Sequence, residues 1–159
     1  MNCSAYRENY AAFAVLPLPR EIWDTPEWSA WMEHSHKCRD CSDWALAQRI
    51  VARGHDPASF PCVHVGNQLT QTCEQHQNRH DCPDILIIYF PRFDEYSIPI
   101  RDGGSSSTTI HFCPWCGVKL PDSKRHRWFQ ELEALGYNDP FQEDIPSEYR
   151  TDAWYKKAK

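Results

Sequence analysis

The hydrophobic pattern predicts helices in the first third of the chain. Apolar residues recur at helical spacing after Thr25-Pro26, where a threonine N-cap and a proline at the first helical position favour a helix start. A second helix is predicted over residues 42–53 and ends at Gly54. The apolar stretch 11–19 contains two prolines and is predicted to be extended. We interpret residues 1–57 as an N-terminal helical extension.

The middle of the chain is predicted to be β. Three runs rich in β-branched and aromatic residues favour an antiparallel meander: Ile85–Phe90, Tyr96–Ile100 and Thr108–Phe112. Cys62-Val-His-Val65 alternates like a further short strand, and a C-terminal helix is predicted over 123–135. We therefore expect an α+β fold in which a small antiparallel meander is flanked by N-terminal helices and a C-terminal helix. Residues 58–159 are interpreted as the α+β domain.

A C-x-x-C pair follows the third predicted strand. Cys113 and Cys116 enclose Pro114, and Gly117 comes directly after them. In a zinc knuckle two thiolates converge on one ion, and a glycine supplies the positive φ with which the chain leaves the turn. A redox pair or two reduced structural thiols would also have this spacing. The additional cysteines and histidines upstream favour the zinc knuckle.

Cys38 and Cys41 form a second C-x-x-C pair, without glycine or proline between them. Cys41 directly precedes the predicted helix at Ser42, and a helix N-terminus lowers the pKa of a neighbouring thiol. A thiolate there would serve metal binding and redox chemistry equally well. Plain structural thiols are the third interpretation of this pair.

The remaining candidate ligands allow two groupings. In a three-stranded meander, Cys82 and Cys113 lie at opposite ends of the sheet, about 20 Å apart. That geometry predicts two sites, one of Cys113 and Cys116 with Cys62 and the Cys38/Cys41 pair, the other of Cys73, His76 and Cys82. If the meander is wrong, the simpler alternative is a single site of Cys73, Cys82, Cys113 and Cys116. The sequence thus predicts one or two Zn²⁺ ions per chain.

Composition and charge restrict the cellular compartment and the classes of partner that we expect. The first residues lack the basic and apolar regions of a signal peptide, and the longest apolar run, 85–90, is too short to span a bilayer. Without export, eight cysteines are better explained by metal than by disulfides, and we expect a soluble cytoplasmic protein with no membrane partner. The net charge of −5 disfavours nucleic acid, and residues 56–112 alone carry three basic and seven acidic side chains.

Several short motifs from Cys62 to about Tyr155 resemble those of an uncharacterised bacterial and phage family of small CPWCG zinc-knuckle proteins. The motifs are Cys82-Pro-Asp84, Phe93-Asp-Glu-Tyr96, Asp102-Gly-Gly-Ser-Ser106, Cys113-Pro-Trp-Cys-Gly117, Lys119-Leu-Pro121 and Trp128-Phe129. The resemblance implies a small zinc-binding domain and supplies no catalytic residues. Shorter members have two adjacent cysteines where this chain has Pro61-Cys62, which implies that Cys38 or Cys41 supplies the missing thiol.

Three functions are compatible with the sequence. The favoured one is a non-catalytic, zinc-stabilised protein-binding module of the immunity or antitoxin type, or a phage inhibitor, whose partner is a toxin or another basic protein. The second is a nucleic-acid-binding zinc ribbon that uses the basic residues 124–127 at the start of the C-terminal helix. The third is a zinc hydrolase or thiol oxidoreductase, although no H-E-x-x-H or paired-carboxylate motif occurs. Pairing with the acidic middle region is the simpler explanation of the basic residues.

Overall fold

The computed structural model describes residues 1–14 and 17–156. The predicted α+β class is confirmed, because the described residues form eight α-helices and a three-stranded antiparallel sheet. Within these residues no helix combines the length and apolar character that crossing a membrane requires. The helices are α1 (Cys3–Glu8), α2 (Tyr10–Phe13), α3 (Arg20–Trp23), α4 (Pro26–Lys37), α5 (Arg39–Ala52), α6 (Val63–Thr70), α7 (Arg125–Ala134) and α8 (Ala153–Lys156). The strands are β1 (Ile88–Phe90), β2 (Glu95–Pro99) and β3 (Ser107–Thr109), and 3-10 turns cover Pro57–Ser59, Pro91–Phe93 and Ser147–Arg150.

The chain divides into two compact units, Met1–Ser59 and Phe60–Lys159. The first unit has an aromatic core between α1 and α4. The rings of Tyr6 and Trp31 stack with centroids 4.8 Å apart, and the Trp31 indole N–H donates to the Tyr6 carbonyl at 3.0 Å. α4 begins as predicted, with the Thr25 hydroxyl accepting the N–H of Trp28. Stacked rings and one buried hydrogen bond thus fix α1 against α4.

Two predictions for the first unit are wrong. Residues 11–13 of the apolar stretch belong to α2 instead of an extended segment, while Val15 and Leu16 of that stretch lie outside the described residues. α5 begins at Arg39, three residues earlier than predicted, so Cys41 lies inside its first turn and is fully buried. Burial against α1 and α4 decides this start, whereas the sequence offered Ser42 as a local cap.

The second unit contains the predicted meander. β2 pairs antiparallel with both β1 and β3, and Ser97 lies opposite Ile88 on one side and Thr109 on the other. The expected strand at 62–65 is wrong, because residues 63–70 form α6. Val65 and Leu69 lie one helical turn apart and pack together into the core. An alternation of four residues was too short to distinguish a strand from a helix start.

A second core in this unit lies under α7. Trp128 and Leu132 are fully buried there, and Trp128 donates its indole N–H to the Tyr149 carbonyl at 2.8 Å. Phe93 packs edge-on against Trp128 with centroids 5.2 Å apart. This aromatic core contains no cysteine and involves no candidate metal ligand.

Candidate metal centres

The turn at Cys113–Cys116 has the backbone of a metal knuckle. The Cys113 N–H donates to the Val118 carbonyl, and the Gly117 N–H donates to the Cys113 carbonyl, both at 2.9 Å. Gly117 has a φ of +72°, a backbone conformation that residues with a Cβ rarely adopt. An antiparallel bridge between Phe112 and Lys119 closes the base of the turn. These contacts hold the two thiols on one side of a rigid loop.

Two donors from the start of α6 join the knuckle. The ligand atoms of Cys62, His64, Cys113 and Cys116 all lie within 4.8 Å of one another. Cys62, Cys113 and Cys116 also pack against the core formed by Val65, Ile87, Tyr96 and Leu120. Three thiols and one imidazole are a common donor set for a tetrahedral metal site. We call this group the knuckle cluster.

The knuckle cluster differs from the predicted site in its fourth donor. His64, which the sequence analysis did not select, supplies it. Cys38 and Cys41 had been expected to complete this site, but they converge with other donors inside the first unit. The C-x-H spacing of Cys62 and His64 was the available signal, and both residues lie at the start of α6.

A second group lies in the irregular segment between α6 and β1. The ligand atoms of Cys73, His76 and Cys82 lie within 4.8 Å of one another, and Cys73 Sγ is 3.2 Å from His76 Nδ1. Cys82 is 1% exposed, so a bound ion would be reached from the Cys73 side. Arg79 braces the segment by donating to the carbonyls of Gln71 at 2.7 Å and Gln68 at 2.8 Å. We call this three-donor group the loop cluster.

The structure keeps the knuckle and loop clusters separate. The alternative single site of Cys73, Cys82, Cys113 and Cys116 is therefore wrong for this structure. The meander is the physical reason, because Cys82 precedes β1 and Cys113 follows β3, and these two strands enter the sheet from the same end.

The third group lies in the first unit and joins Cys3, His34, Cys38 and Cys41, whose ligand atoms lie within 4.8 Å of one another. His34 Nδ1 is 3.1 Å from the Met1 carbonyl oxygen, which can only accept, so Nδ1 carries the proton. His34 Nε2 is buried and has no hydrogen-bond partner among the described residues. A carbonyl that fixes one ring nitrogen while the other presents its lone pair is typical of a metal-binding histidine. We call this group the N-terminal cluster.

Cys3 and His34 are not among the ligands predicted from the sequence. His34 lies one helical turn before Cys38, a spacing that could have drawn attention to it. Cys3 has no cysteine or histidine nearby in the sequence, and only the packing of α1 brings its Sγ to 3.8 Å from Cys38 Sγ. A local search for spaced ligands cannot find such a residue.

Comparison with known proteins assigns a family to most of the chain. Residues 59–157 match a family described as a domain of unknown function, DUF6980. The chain belongs to this family. No curated protein and no solved structure matches the chain. The knuckle and loop clusters lie inside the DUF6980 domain, and the N-terminal cluster precedes the matched range.

The thiols of the three clusters differ in their pKa values. Burial raises the pKa of the Cys62 thiol in the DUF6980 domain to about 12. Burial also raises the pKa of Cys41 to about 11, which corrects the expectation of a lowered value beside a helix N-terminus. The hydrogen bond with His76 lowers the pKa of Cys73 to about 7. A metal must displace protons from Cys62 and Cys41, whereas Cys73 is already partly a thiolate near neutral pH.

The basic start of α7 is paired with acidic residues of the DUF6980 sheet. Arg125 donates to both carboxylate oxygens of Glu95, at 2.6 and 3.0 Å, and Lys124 pairs with Asp94. Burial of Glu95 favours its protonated form, but the hydrogen bonds from Arg125 and Ser123 outweigh this and hold its pKa below the usual value. The predicted pairing with the acidic middle region is confirmed for Lys124 and Arg125, whereas Arg127 pairs with Glu131 of α7.

Proposed function

We propose that this chain is a non-catalytic, zinc-stabilised protein-binding module that acts in the cytoplasm of a bacterium or a phage-infected cell. The donor sets favour zinc, since thiolates and imidazoles bind Zn²⁺ well and hard cations poorly. All eight cysteines are free thiols, which fits a reducing compartment. The partner class is a protein, of the kind that an immunity protein or a phage inhibitor neutralises.

One observation carries this proposal: three exposed apolar side chains lie in and beside the knuckle turn. Phe112, Trp115 and Val118 are 57%, 44% and 40% exposed, although they lie within seven residues of chain. We call these three residues the knuckle ridge. Exposed apolar side chains that lie close together in the chain, aromatic ones above all, favour a protein interaction site.

The metal would fix the ridge. The Trp115 ring lies parallel to the imidazole of His64, with planes 8° apart and centroids 6.3 Å apart. His64 is a donor of the knuckle cluster, so an ion bound there orients the ring against which Trp115 stacks. A preorganised aromatic anchor loses less conformational entropy on binding. Four protein donors also occupy all four coordination positions of a tetrahedral ion, which favours a structural role for this metal.

The nucleic-acid alternative is less well supported. Lys124 and Arg125 are committed to Asp94 and Glu95, and Arg127 pairs with Glu131 at 2.6 Å. A phosphate backbone would have to displace these carboxylates. A purified chain that stays on single-stranded DNA in a salt-sensitive way would favour that alternative.

Binding to the protein encoded by the adjacent gene tests the proposal. The purified native chain should bind that protein, and Phe112→Ser with Trp115→Ser should weaken binding by about 30-fold or more, because buried aromatic anchors dominate interfaces. Phe141→Ser is the matched control, since Phe141 is 55% exposed but lies outside the ridge. Absence of binding at micromolar concentration, or equal losses in the ridge and control variants, would contradict the proposal.

A further inference from the structure

We infer that the metal of the loop cluster keeps one coordination position for a small exogenous anion. This inference requires a metal in the loop cluster and does not depend on the proposed protein partner. It rests on the number of donors, on the cavity that they line, and on the charge beside them.

The loop cluster has one donor fewer than the other two. Among the described residues, the knuckle and N-terminal clusters each offer four donor atoms, while only Cys73, His76 and Cys82 form the loop cluster. Zn²⁺ is four-coordinate in most protein sites, and sites with three protein ligands leave the fourth position to an external ligand. The loop cluster therefore has the donor count of an open site.

His80 is the nearest alternative for a fourth protein donor. Its Nδ1 is buried without a hydrogen-bond partner among the described residues. Its ring, however, lies beside Phe90 with centroids 6.3 Å apart, and it lines a different cavity together with Phe90 and Ile88. His80 is not part of the wall around the three donors. The geometry therefore leaves the fourth position unfilled by this imidazole.

The three donor residues line a small cavity. Cys73, His76 and Cys82 all line a cavity of about 210 Å³. Sites for drug-sized ligands have about 300–1,000 Å³, so this cavity suits a ligand of a few heavy atoms. The remaining wall has mainly hydrogen-bonding side chains: Gln71, Thr72, Gln77 and Arg79, with Ile85.

Charge favours an anion in the open position. Zn²⁺ with two thiolates and a neutral imidazole has no net charge, so an added monoanion gives the complex a charge of about −1. Arg79 lines the same cavity, and its guanidinium is held in place by its bonds to the carbonyls of Gln71 and Gln68. Its fixed positive charge offsets the added negative charge. An anion the size of azide, acetate or a short thiolate fits both the volume and the charge.

Cobalt substitution with azide as the probe tests this inference in the full chain. Co²⁺ replaces Zn²⁺ in such sites, and its visible d–d absorption reports the donors around it. With three Co²⁺ bound per chain, azide should change the spectrum with the saturation of a single site. Cys73→Ser should abolish the change, while the bands of the two four-donor clusters remain. A chain that binds three Co²⁺ but does not respond to azide would overturn the inference, as would a loop cluster that binds no Co²⁺.

Variants of Arg79 and His80 separate charge from structure. Arg79→Gln should weaken azide binding about tenfold, and Arg79→Lys, which keeps the charge, should retain most of the affinity. Equal losses in both would assign Arg79 a structural role and contradict the charge argument. His80→Gln should leave the spectrum and the azide response unchanged. If His80→Gln alters the cobalt bands before azide is added, His80 is the fourth ligand and the site is closed.

Discussion

The knuckle cluster and the loop cluster use the same types of donor in opposite ways. The knuckle thiols are part of a buried core, sit on a hydrogen-bonded turn, and meet His64 at the start of a helix. The loop thiols lie in an irregular segment and pack at a smaller core with Ile85 and Ile88, and three donors line a cavity. This difference suggests which features distinguish a metal site that stabilises a fold from one that stays accessible to solvent. The number of donors and the size of the core around them matter more than the types of ligand.

The largest effect is expected from Cys113→Ser. Structural zinc contributes about 10–16 kcal/mol of binding free energy in small domains, comparable with the whole stability of a typical domain, about 5–15 kcal/mol. We therefore expect this variant to lose its knuckle metal and to unfold the DUF6980 domain, as followed by circular dichroism. Phe112→Ser, at the exposed neighbouring position, should keep its metal and melt near the native temperature. Unchanged melting of Cys113→Ser would remove the structural role of the knuckle.

Cys73→Ser should have a smaller effect. Cys73 is partly buried and packs against a minor core of Cys82, Ile85 and Ile88, so the variant should lose one metal ion and no more than about 3 kcal/mol of stability. Metal analysis and denaturant unfolding on the same sample measure both. Global unfolding comparable with that of Cys113→Ser would break the contrast between the two clusters.

Gly117→Ala tests the knuckle backbone alone. A Cβ at Gly117 meets nothing within 4 Å, so the cost is that of a non-glycine residue at a φ of +72°, roughly 1–2 kcal/mol. Gly103→Ala is the matched control, with a φ of +85°, equally open space and a position outside the three clusters. Both variants should lose similar stability, but only Gly117→Ala should weaken zinc binding in a chelator competition. Equal zinc affinities would show that the turn strain is not coupled to the site.

The smallest difference between the knuckle and loop clusters is expected in the number of protons that metal binding releases. Metal binding displaces thiol protons, so affinity rises with pH. The knuckle cluster has three thiols, including Cys62 with a pKa of about 12, whereas the loop cluster has two, and Cys73 has a pKa of about 7. As pH falls from 8 to 6, affinity should fall more steeply at the knuckle than at the loop. Calorimetry in buffers of different ionisation enthalpy measures the protons released, and Cys73→Ser combined with Cys38→Ser isolates the knuckle by removing the loop and N-terminal clusters. Equal release would contradict the ranking.

Local sequence signals predicted the elements whose determinants are local. The Thr25 cap, the β-meander, the turn glycine at 117 and the apolar stripe of α7 follow from neighbours a few residues away. The strand predicted over residues 62–65 is wrong because the burial of this segment depends on Ile87 and Tyr96, which are distant in sequence. A pattern of four residues could not reveal that environment.

The metal ligands also divide into those that local sequence signals identify and those that only the folded structure brings together. The C-x-x-C pairs could be found from spacing alone. Cys3 and His34 could not be assigned to a site, because the packing of α1 against α4 brings them together. For the same reason the sequence predicted one or two ions, whereas the described part of the folded chain presents three groups of donors.

The metal content of the native full-length chain tests the central claim most directly. Purified without added chelator and measured by mass spectrometry against protein concentration, the chain should contain three zinc ions, one for each cluster. After mild chelation, the loop cluster should empty first, because it has only three donors and faces a cavity. A chain that binds no zinc, or that loses its knuckle zinc before any other, would contradict the structural role assigned to the knuckle.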